Sequence, residues 1–162
     1  LLDLSEIKII NRDDKKLSSF KNKVNLSFGI SAPLNKEDFV LINNDSGSYI
    51  KRGTELSIEL NNIKLIGEHN KLNIMSAIAC INSVFPELSD LKINNLKGIN
   101  HRLEWVKNVN GVNFYNDSKA TNIDATIKAL KSFDKKNIFL IAGGDSKGQV
   151  LAPMEKFIKK RY

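Results

Sequence analysis

The sequence predicts an α/β protein in two parts, and three changes of pattern along the chain indicate it. Short apolar runs separated by turn residues fill the first part, and a helical spacing of apolar residues follows from residue 70. After residue 100, predicted strands alternate with predicted helices, as at the opening of a doubly wound α/β sheet. We place a junction at 98–100 and expect one domain over 1–98 and a second over 99–162.

The first part is expected to be a meander of mostly antiparallel strands. Alternation of apolar and polar residues, as at Val24, Leu26 and Phe28, is typical of a strand with one buried face. The Asn-Asn-Asp-Ser-Gly stretch at 43–47 has the composition of a hairpin turn. The predicted strands are 7–10, 24–28, 39–42, 48–51, 56–60 and 63–66.

A helical period replaces this alternation from Asn70. The predicted helix ends before Pro86, because proline disfavours helical geometry in the residue that precedes it. Leucines at 88, 91 and 96 predict a second, shorter helix. The apolar positions of the first helix recur at spacings of three and four, and they are Ile74, Met75, Ile78, Ala79, Cys80 and Ile81.

The second part is expected to contain a hairpin, a helix, a buried strand and a final helix. Asn110-Gly111 separates the predicted strands 103–109 and 112–115, as in a tight hairpin turn. The run 137–142 is almost continuously apolar, which is typical of a strand covered on both faces of a parallel sheet. The helices are predicted at 123–133 and 154–160.

Composition excludes several classes of protein. The 162 residues include 25 Lys and Arg against 18 Asp and Glu, for a net charge of +7, but their basic clusters are short, so no nucleic-acid surface is expected. No apolar stretch approaches the roughly 20 residues that cross a bilayer, so no membrane association is expected. One cysteine and two histidines leave no Cys- or His-built metal site and suit a cytoplasmic protein.

The most unusual polar stretch is Asn-Asp-Ser-Lys-Ala-Thr-Asn at 116–122, between a predicted strand and a predicted helix. It offers a carboxylate at Asp117, an ammonium at Lys119 and a hydroxyl at Thr121. Open α/β sheets bind ligands at the C-terminal ends of their strands, which favours a functional role. The alternatives are that Thr121 or Asn122 caps the helix, and that Asp117 and Lys119 form a surface ion pair.

Three further segments are candidates for binding anions or bases. The glycine loop at 143–148 exposes backbone N–H groups beside Lys147, although its spacing is not that of a Walker A loop. Arg102, at the junction, is suited to clamping a phosphate, and its alternative role is an ordinary linker ion pair. Asn70 and Asn73 lie at a helix start, where their amides can read an adenine edge or Asn70 can serve as the N-cap.

Together these segments resemble the Mur ligase family, the ATP-dependent amide ligases of peptidoglycan synthesis. The run at 117–122 resembles the branch that adds D-glutamate, since relatives that add other residues differ there. The resemblance implies an α/β chain with the second half of a central ATPase domain over 1–98. The start of a Rossmann-like, doubly wound C-terminal domain follows over 99–162. The matching segments are 67–70 with Asn73, 98–102 with Glu104, 116–122 and 143–147.

The resemblance also implies a reaction and its participants. ATP phosphorylates the terminal carboxylate of UDP-N-acetylmuramoyl-L-alanine, and the amine of D-glutamate attacks the acyl phosphate. The parent protein is expected to be a cytoplasmic monomer that uses Mg²⁺. The ligands of Mg²⁺ and the ATP phosphate loop are expected outside this sequence. The chain alone is therefore expected to be inactive, because phosphoryl transfer needs that metal and phosphate cradle.

Residues that match the nucleotide-binding positions of the family come from three of the segments. Asn70 and Asn73 match the amides that contact adenine. Arg102 matches the junction arginine that meets the ATP phosphates or ribose, and Asp117 matches the aspartate that binds ribose. These four residues are the expected ATP-binding group of this chain.

The remaining roles fall on the two polar loops of the second part. Lys119 shares the nucleotide-facing loop, and the resemblance makes it a catalytic residue together with Arg102. Thr121 and Lys147 match residues that hold the carboxylates of D-glutamate. The alternatives are another Mur or folylpolyglutamate-type ligase, or a noncatalytic domain that binds anions or nucleic acid.

Overall fold

The computed structural model describes residues 6–17, 19–20, 24–63, 65–87, 91, 93, 96–133 and 137–161. The chain divides into two compact units. The first comprises Leu1–Leu65 and His69–Leu96, and the second comprises Ile66–Glu68 and Lys97–Tyr162. No helix among the described residues is long and apolar enough to cross a membrane.

The first unit contains a five-stranded mixed sheet whose spatial order follows the chain. The first strand pairs with the second, and the second with the third, in parallel, and the next two pairings are antiparallel. The prediction of a mostly antiparallel meander was therefore wrong for two of the four pairings. The connections after the first and second strands are long enough to return the chain to the end of the sheet where the preceding strand began. A two-residue turn, by contrast, makes the next strand antiparallel. The strands are β1 Ile9–Asn11, β2 Leu26–Gly29, β3 Phe39–Asn44, β4 Gly47–Arg52 and β5 Leu56–Glu59.

The strand predicted at 63–66 does not form at residues 63, 65 and 66, and residue 64 lies outside the described residues. The N–H of Ile63 donates to the carbonyl of Leu60 at 3.2 Å, so the chain turns here instead of extending. The predicted helix through 88, 91 and 96 falls largely on undescribed residues, Leu88 among them. Leu91 and Leu96 are not helical.

The helix α1 (Glu68–Val84) supplies the other half of this unit's core. Cys80 and Ile81 were predicted on its buried face but are exposed, because the buried positions follow a narrower stripe that includes Asn82. The buried core comprises Phe39, Leu41, Ile50, Leu60, Ile74, Met75, Ile78, Ala79 and Ile93.

A buried polar group, Arg12, joins the first three strands. Arg12 is 2% exposed, and its guanidinium donates to the carbonyl of Phe39 at 2.8 Å and to the carbonyl of Gly29 at 3.1 Å. Asp38, equally buried, accepts from the N–H of Ser27 at 2.7 Å and from the N–H of Leu34 at 2.8 Å. These bonds satisfy strand and loop groups that would otherwise be buried without partners.

The second unit begins with an antiparallel hairpin, β6 (Glu104–Val109) and β7 (Val112–Asn116). Asn110 and Gly111 both have positive φ, at 49° and 85°, as a tight hairpin turn requires. Two helices follow, α2 (Ile123–Lys131) and α3 (Ala152–Arg161), close to their predicted positions. The α/β fold class is therefore confirmed.

The buried strand predicted at 137–142 is wrong in this structure. These residues have no regular secondary structure, and Phe139 and Ile141 are 90% and 98% exposed. A buried parallel strand needs a hydrogen-bonded neighbour on at least one side and cover on its faces. Among the described residues of this unit, only β6 and β7 are paired strands, and they pair with each other.

Candidate functional site

The polar loop 116–122 lies between the end of β7 and the start of α2, as predicted. Asn122 is the N-cap of α2, and its side-chain oxygen accepts from the N–H of Ala125 at 2.8 Å. The capping role that the sequence left open between Thr121 and Asn122 thus belongs to Asn122. Thr121 and Lys119 are exposed, and the side chain of Asp117 is half-buried.

The junction loop 99–104 is bound directly to this polar loop. The carboxylate of Asp117 accepts from the N–H of Leu103 at 2.9 Å, and the N–H of Lys119 donates to the carbonyl of His101 at 3.0 Å. The side-chain amide nitrogen of Asn116 lies 2.8 Å from Nδ1 of His101. The structure therefore brings the Arg102 segment and the Asp117–Lys119 segment together within one unit.

The backbone of the junction loop is unusual on both sides of Arg102. His101 and Leu103 have positive φ, at 65° and 46°, in a region that L-residues rarely occupy. Glu104 supports this turn, since its carboxylate accepts from the N–H of His101 at 2.7 Å. Arg102 is exposed, and it forms no ion pair with any other described residue. Its guanidinium is thus directed to solvent by a turn held on both flanks.

The glycine loop 143–148 keeps its own geometry through short-range bonds. Gly144, Lys147 and Gly148 all have positive φ, and the carboxylate of Asp145 accepts from the N–H of Lys147 at 2.9 Å. Lys147 is exposed, and like Lys119 it makes no ion pair within the described part of the chain. The Asp145 carboxylate is bonded to the backbone of Lys147, and the ammonium group of Lys147 stays exposed.

Gln149 connects this loop to the polar loop 116–122, a feature that sequence reasoning missed. Its side-chain nitrogen donates to the carbonyl of Thr121 at 3.2 Å, and its side-chain oxygen accepts from the N–H of Ile123 at 3.0 Å. Neither bond follows any local spacing rule, since 28 and 26 residues separate the partners. Thr121 and Lys147 thus lie on segments that one side chain joins.

The two candidate adenine-binding residues lie in the first unit, in the opening turns of α1. Asn70 is half-buried and Asn73 is exposed, and their spacing of three residues places them on the same side of the helix. Because α1 begins at Glu68, Asn70 lies inside the helix and is not its N-cap. The capping alternative for Asn70 was therefore wrong.

The described residues do not fit a metal ion. No group of three or more His, Cys, Asp or Glu side chains lies close enough together among them to hold one. The acidic residues of the two loops, Asp117, Glu104 and Asp145, are each engaged by backbone N–H groups. These three carboxylates therefore support the backbone of the loops in which their partners lie.

Comparison with known proteins finds similarity over most of the chain. Residues 101–161 match the family described as Mur ligase, glutamate ligase domain. A UDP-N-acetylmuramoylalanine–D-glutamate ligase of Nitrosomonas europaea is 36% identical over 158 residues, covering 95% of this chain and 33% of that protein. The ligase of that name from Methylobacillus flagellatus is 34% identical over 158 residues, covering 95% and 35%. The one from Geotalea daltonii is 40% identical over 115 residues, covering 70% and 25%.

The chain spans about a third of the length of the first two of these relatives. The first two matches cover 95% of this chain and so extend through both units, and the family match covers most of the junction loop, the polar loop and α3. The resemblance drawn from four short segments is thereby confirmed over residues 101–161, which match the glutamate ligase domain of the Mur ligases.

Proposed function

We propose that this chain is part of a cytoplasmic, monomeric ATP-dependent ligase of peptidoglycan precursor synthesis that joins D-glutamate to UDP-N-acetylmuramoyl-L-alanine. The observation that carries the proposal is the polar loop 116–122, bonded to the junction loop on one side and to the Gln149 side chain on the other. The side chains of Lys119 and Thr121 are exposed on a loop whose backbone these bonds hold in place. The Lys119 ammonium makes no ion pair with another described residue. Such groups suit anionic substrates.

The reaction proceeds through an acyl phosphate. A carboxylate oxygen of the acceptor attacks the γ-phosphorus of ATP, and ADP leaves with the bridging oxygen. The amine of D-glutamate then attacks the carbonyl carbon, the amide bond forms, and inorganic phosphate leaves with loss of a proton from nitrogen. Both steps develop negative charge on oxygen, so the chain's contribution is to position the reactants and stabilise that charge.

Arg102 and Lys119 are the residues we assign to this charge. Arg102 lies in a turn with positive φ on both sides and is exposed, and no carboxylate of the described residues pairs with it, so its guanidinium is available to phosphoryl oxygens. Lys119 is held through its own N–H, which donates to the carbonyl of His101 beside Arg102. The two cations therefore lie on loops that are bonded to each other, which supports assigning both to one anionic group.

The binding roles are divided among the remaining candidates. Asn70 and Asn73 bind the adenine edge through their amides, and Asp117 binds the ribose hydroxyls through its carboxylate. Thr121 and Lys147 hold the two carboxylates of D-glutamate, by a hydroxyl donor and an ammonium. Mg²⁺, when bound, neutralises the phosphates of ATP. Its ligands are expected outside this chain.

The test is ADP release by the parent ligase, assayed with ATP, UDP-N-acetylmuramoyl-L-alanine and D-glutamate. We expect Lys119→Ala, Thr121→Ala and Lys147→Ala each to lower D-glutamate-dependent kcat/KM by about tenfold to a hundredfold, as expected for loss of a hydrogen bond to a charged group. Lys128→Ala, on the exposed face of α2, and Thr54→Ala, in the first unit, are the matched controls.

Three outcomes would contradict the proposal. Wild-type kinetics in all three loop variants would remove the substrate-binding assignments. Turnover with a folate acceptor and no turnover with the muramoyl acceptor would favour a folylpolyglutamate-type ligase. Binding of short duplex DNA with a steep salt dependence, without any response to ATP or D-glutamate, would favour a noncatalytic domain.

A further inference from the structure

Gln149 makes the side-chain bonds that tie the glycine loop to the loop before α2. Its amide nitrogen donates to the carbonyl of Thr121 at 3.2 Å, and its amide oxygen accepts from the N–H of Ile123 at 3.0 Å. Its own N–H donates to the carbonyl of Ser146 at 2.9 Å, which closes the turn that contains Lys147. One residue is thus bonded to both candidate carboxylate-binding segments.

The environment of Gln149 fits this linking role. It is half-buried, whereas residues 143–148 before it and residue 150 after it are exposed. The other hydrogen bond within the glycine loop is local, from the N–H of Lys147 to the carboxylate of Asp145. Among the described contacts, Gln149 is therefore what holds the position of Lys147 relative to Thr121.

The chemistry of the side chain matches the two groups that it meets. Ile123 is the first residue of α2, and its N–H has no partner within the helix. Asn122 already accepts from Ala125, so a second acceptor is needed for Ile123. The carbonyl of Thr121 needs a donor. Only an amide supplies one acceptor and two donors on the same planar group.

We propose that Gln149 is a positioning residue that fixes the spacing between the Thr121 hydroxyl and the Lys147 ammonium, and thereby the selectivity for a dicarboxylic amino acid of one length. The inference rests on the proposed function, in which these two groups hold the two carboxylates of D-glutamate. Gln149 acts through the backbone of both loops and touches no substrate. Small errors in the placement of binding groups reduce turnover strongly, so the link matters to the reaction.

The test replaces Gln149 with Met, which has similar length and no hydrogen-bonding amide, in the parent ligase. We expect KM for D-glutamate to rise roughly tenfold while KM for ATP and for the muramoyl acceptor stay within about twofold. The ratio of kcat/KM for D-glutamate over D-aspartate should fall, because the spacing is no longer fixed. Asn113→Leu, which removes an amide from the hairpin, is the control and should change none of these values.

A second measurement tests the link without reference to any substrate. Hydrogen exchange of the peptide that contains Ile123 should be faster in Gln149→Met than in the wild-type ligase, and unchanged in Asn113→Leu. Equal exchange in wild type and Gln149→Met would overturn the proposal, as would an equal rise of all three KM values. Failure of the wild type to use D-glutamate would instead overturn the proposed function, and the exchange result alone would then decide whether Gln149 links the loops.

Discussion

The carboxylate of Asp117 accepts a hydrogen bond from the N–H of Leu103 at 2.9 Å, across 14 residues of sequence. Leu103 is buried and has a φ of 46°. This conformation costs a non-glycine residue about 1–3 kcal/mol, which contacts with the surrounding structure must offset. Asp117 therefore stabilises the turn that presents Arg102, in addition to the ribose-binding role proposed for it. Its structural task is therefore observed, and its binding task is the one proposed above.

Substitutions of Asp117 should separate these two tasks. Asp117→Ala removes the acceptor for Leu103 and should lower the free energy of unfolding by about 1–3 kcal/mol in urea denaturation of the chain. Asp117→Asn keeps an oxygen acceptor, so its stability should stay near wild type while KM for ATP rises in the parent ligase. If Asn destabilised the chain as much as Ala does, the charge rather than the hydrogen bond to Leu103 would be what matters.

The Arg12 side chain is the most extensively bonded polar group in the described core. Arg12→Met keeps an apolar stem but leaves the carbonyls of Phe39 and Gly29 and the carboxylate of Asp38 without their cationic partner. We expect a loss of about 3 kcal/mol or more in the free energy of unfolding. Lys36→Met, at a side chain that is 87% exposed, is the control and should change stability by less than about 0.5 kcal/mol.

Asp13 should make stability depend on pH in the acid range. Burial opposes its ionisation, but the Ser31 side chain, the N–H groups of Ile30 and Ser31, and the charge of Arg12 outweigh burial, so the pKa of Asp13 lies below its ordinary value. A lowered folded-state pKa adds stability that is present above the unfolded-state pKa, about 3.9, and is lost as pH falls through the folded-state value.

The corresponding experiment compares urea unfolding of wild type and Asp13→Asn between pH 2 and pH 7. Wild type should lose more stability than Asp13→Asn on passing below about pH 4, and the two curves should run parallel above about pH 5. Parallel curves over the whole range would show that Asp13 does not titrate differently in the folded and unfolded chain.

Local pattern was sufficient to predict the elements whose neighbours in sequence are also their neighbours in space. The hairpins β3–β4 and β6–β7 and the helices α2 and α3 lie close to the positions predicted from alternation, turn residues and helical spacing. The resemblance carried by the four motif segments is also confirmed by the match of residues 101–161. These features depend on residues within a few positions of each other, so the pattern of a single sequence is enough to predict them.

Contacts over long sequence separations could not be predicted in this way. No spacing rule indicates that Gln149 bonds to Thr121, that Asp117 holds Leu103, or that Arg12 bonds to Phe39. The parallel pairing of β1 with β2 likewise depends on where a long connection returns the chain. Whether an apolar run becomes a buried strand depends on neighbouring strands, and that was the error at 137–142.

The segment 137–142 is apolar in sequence but largely exposed in the structure. Ile141 is 98% exposed, so Ile141→Lys should change the free energy of unfolding of the 162-residue chain by less than about 0.5 kcal/mol. It should also slow aggregation, since a charge interrupts an uncharged apolar run. Ile50→Lys is the control: Ile50 is fully buried, and an unpaired charge there should prevent folding. If Ile141→Lys were comparably destabilising, residues 137–142 would form the buried strand that their sequence predicts.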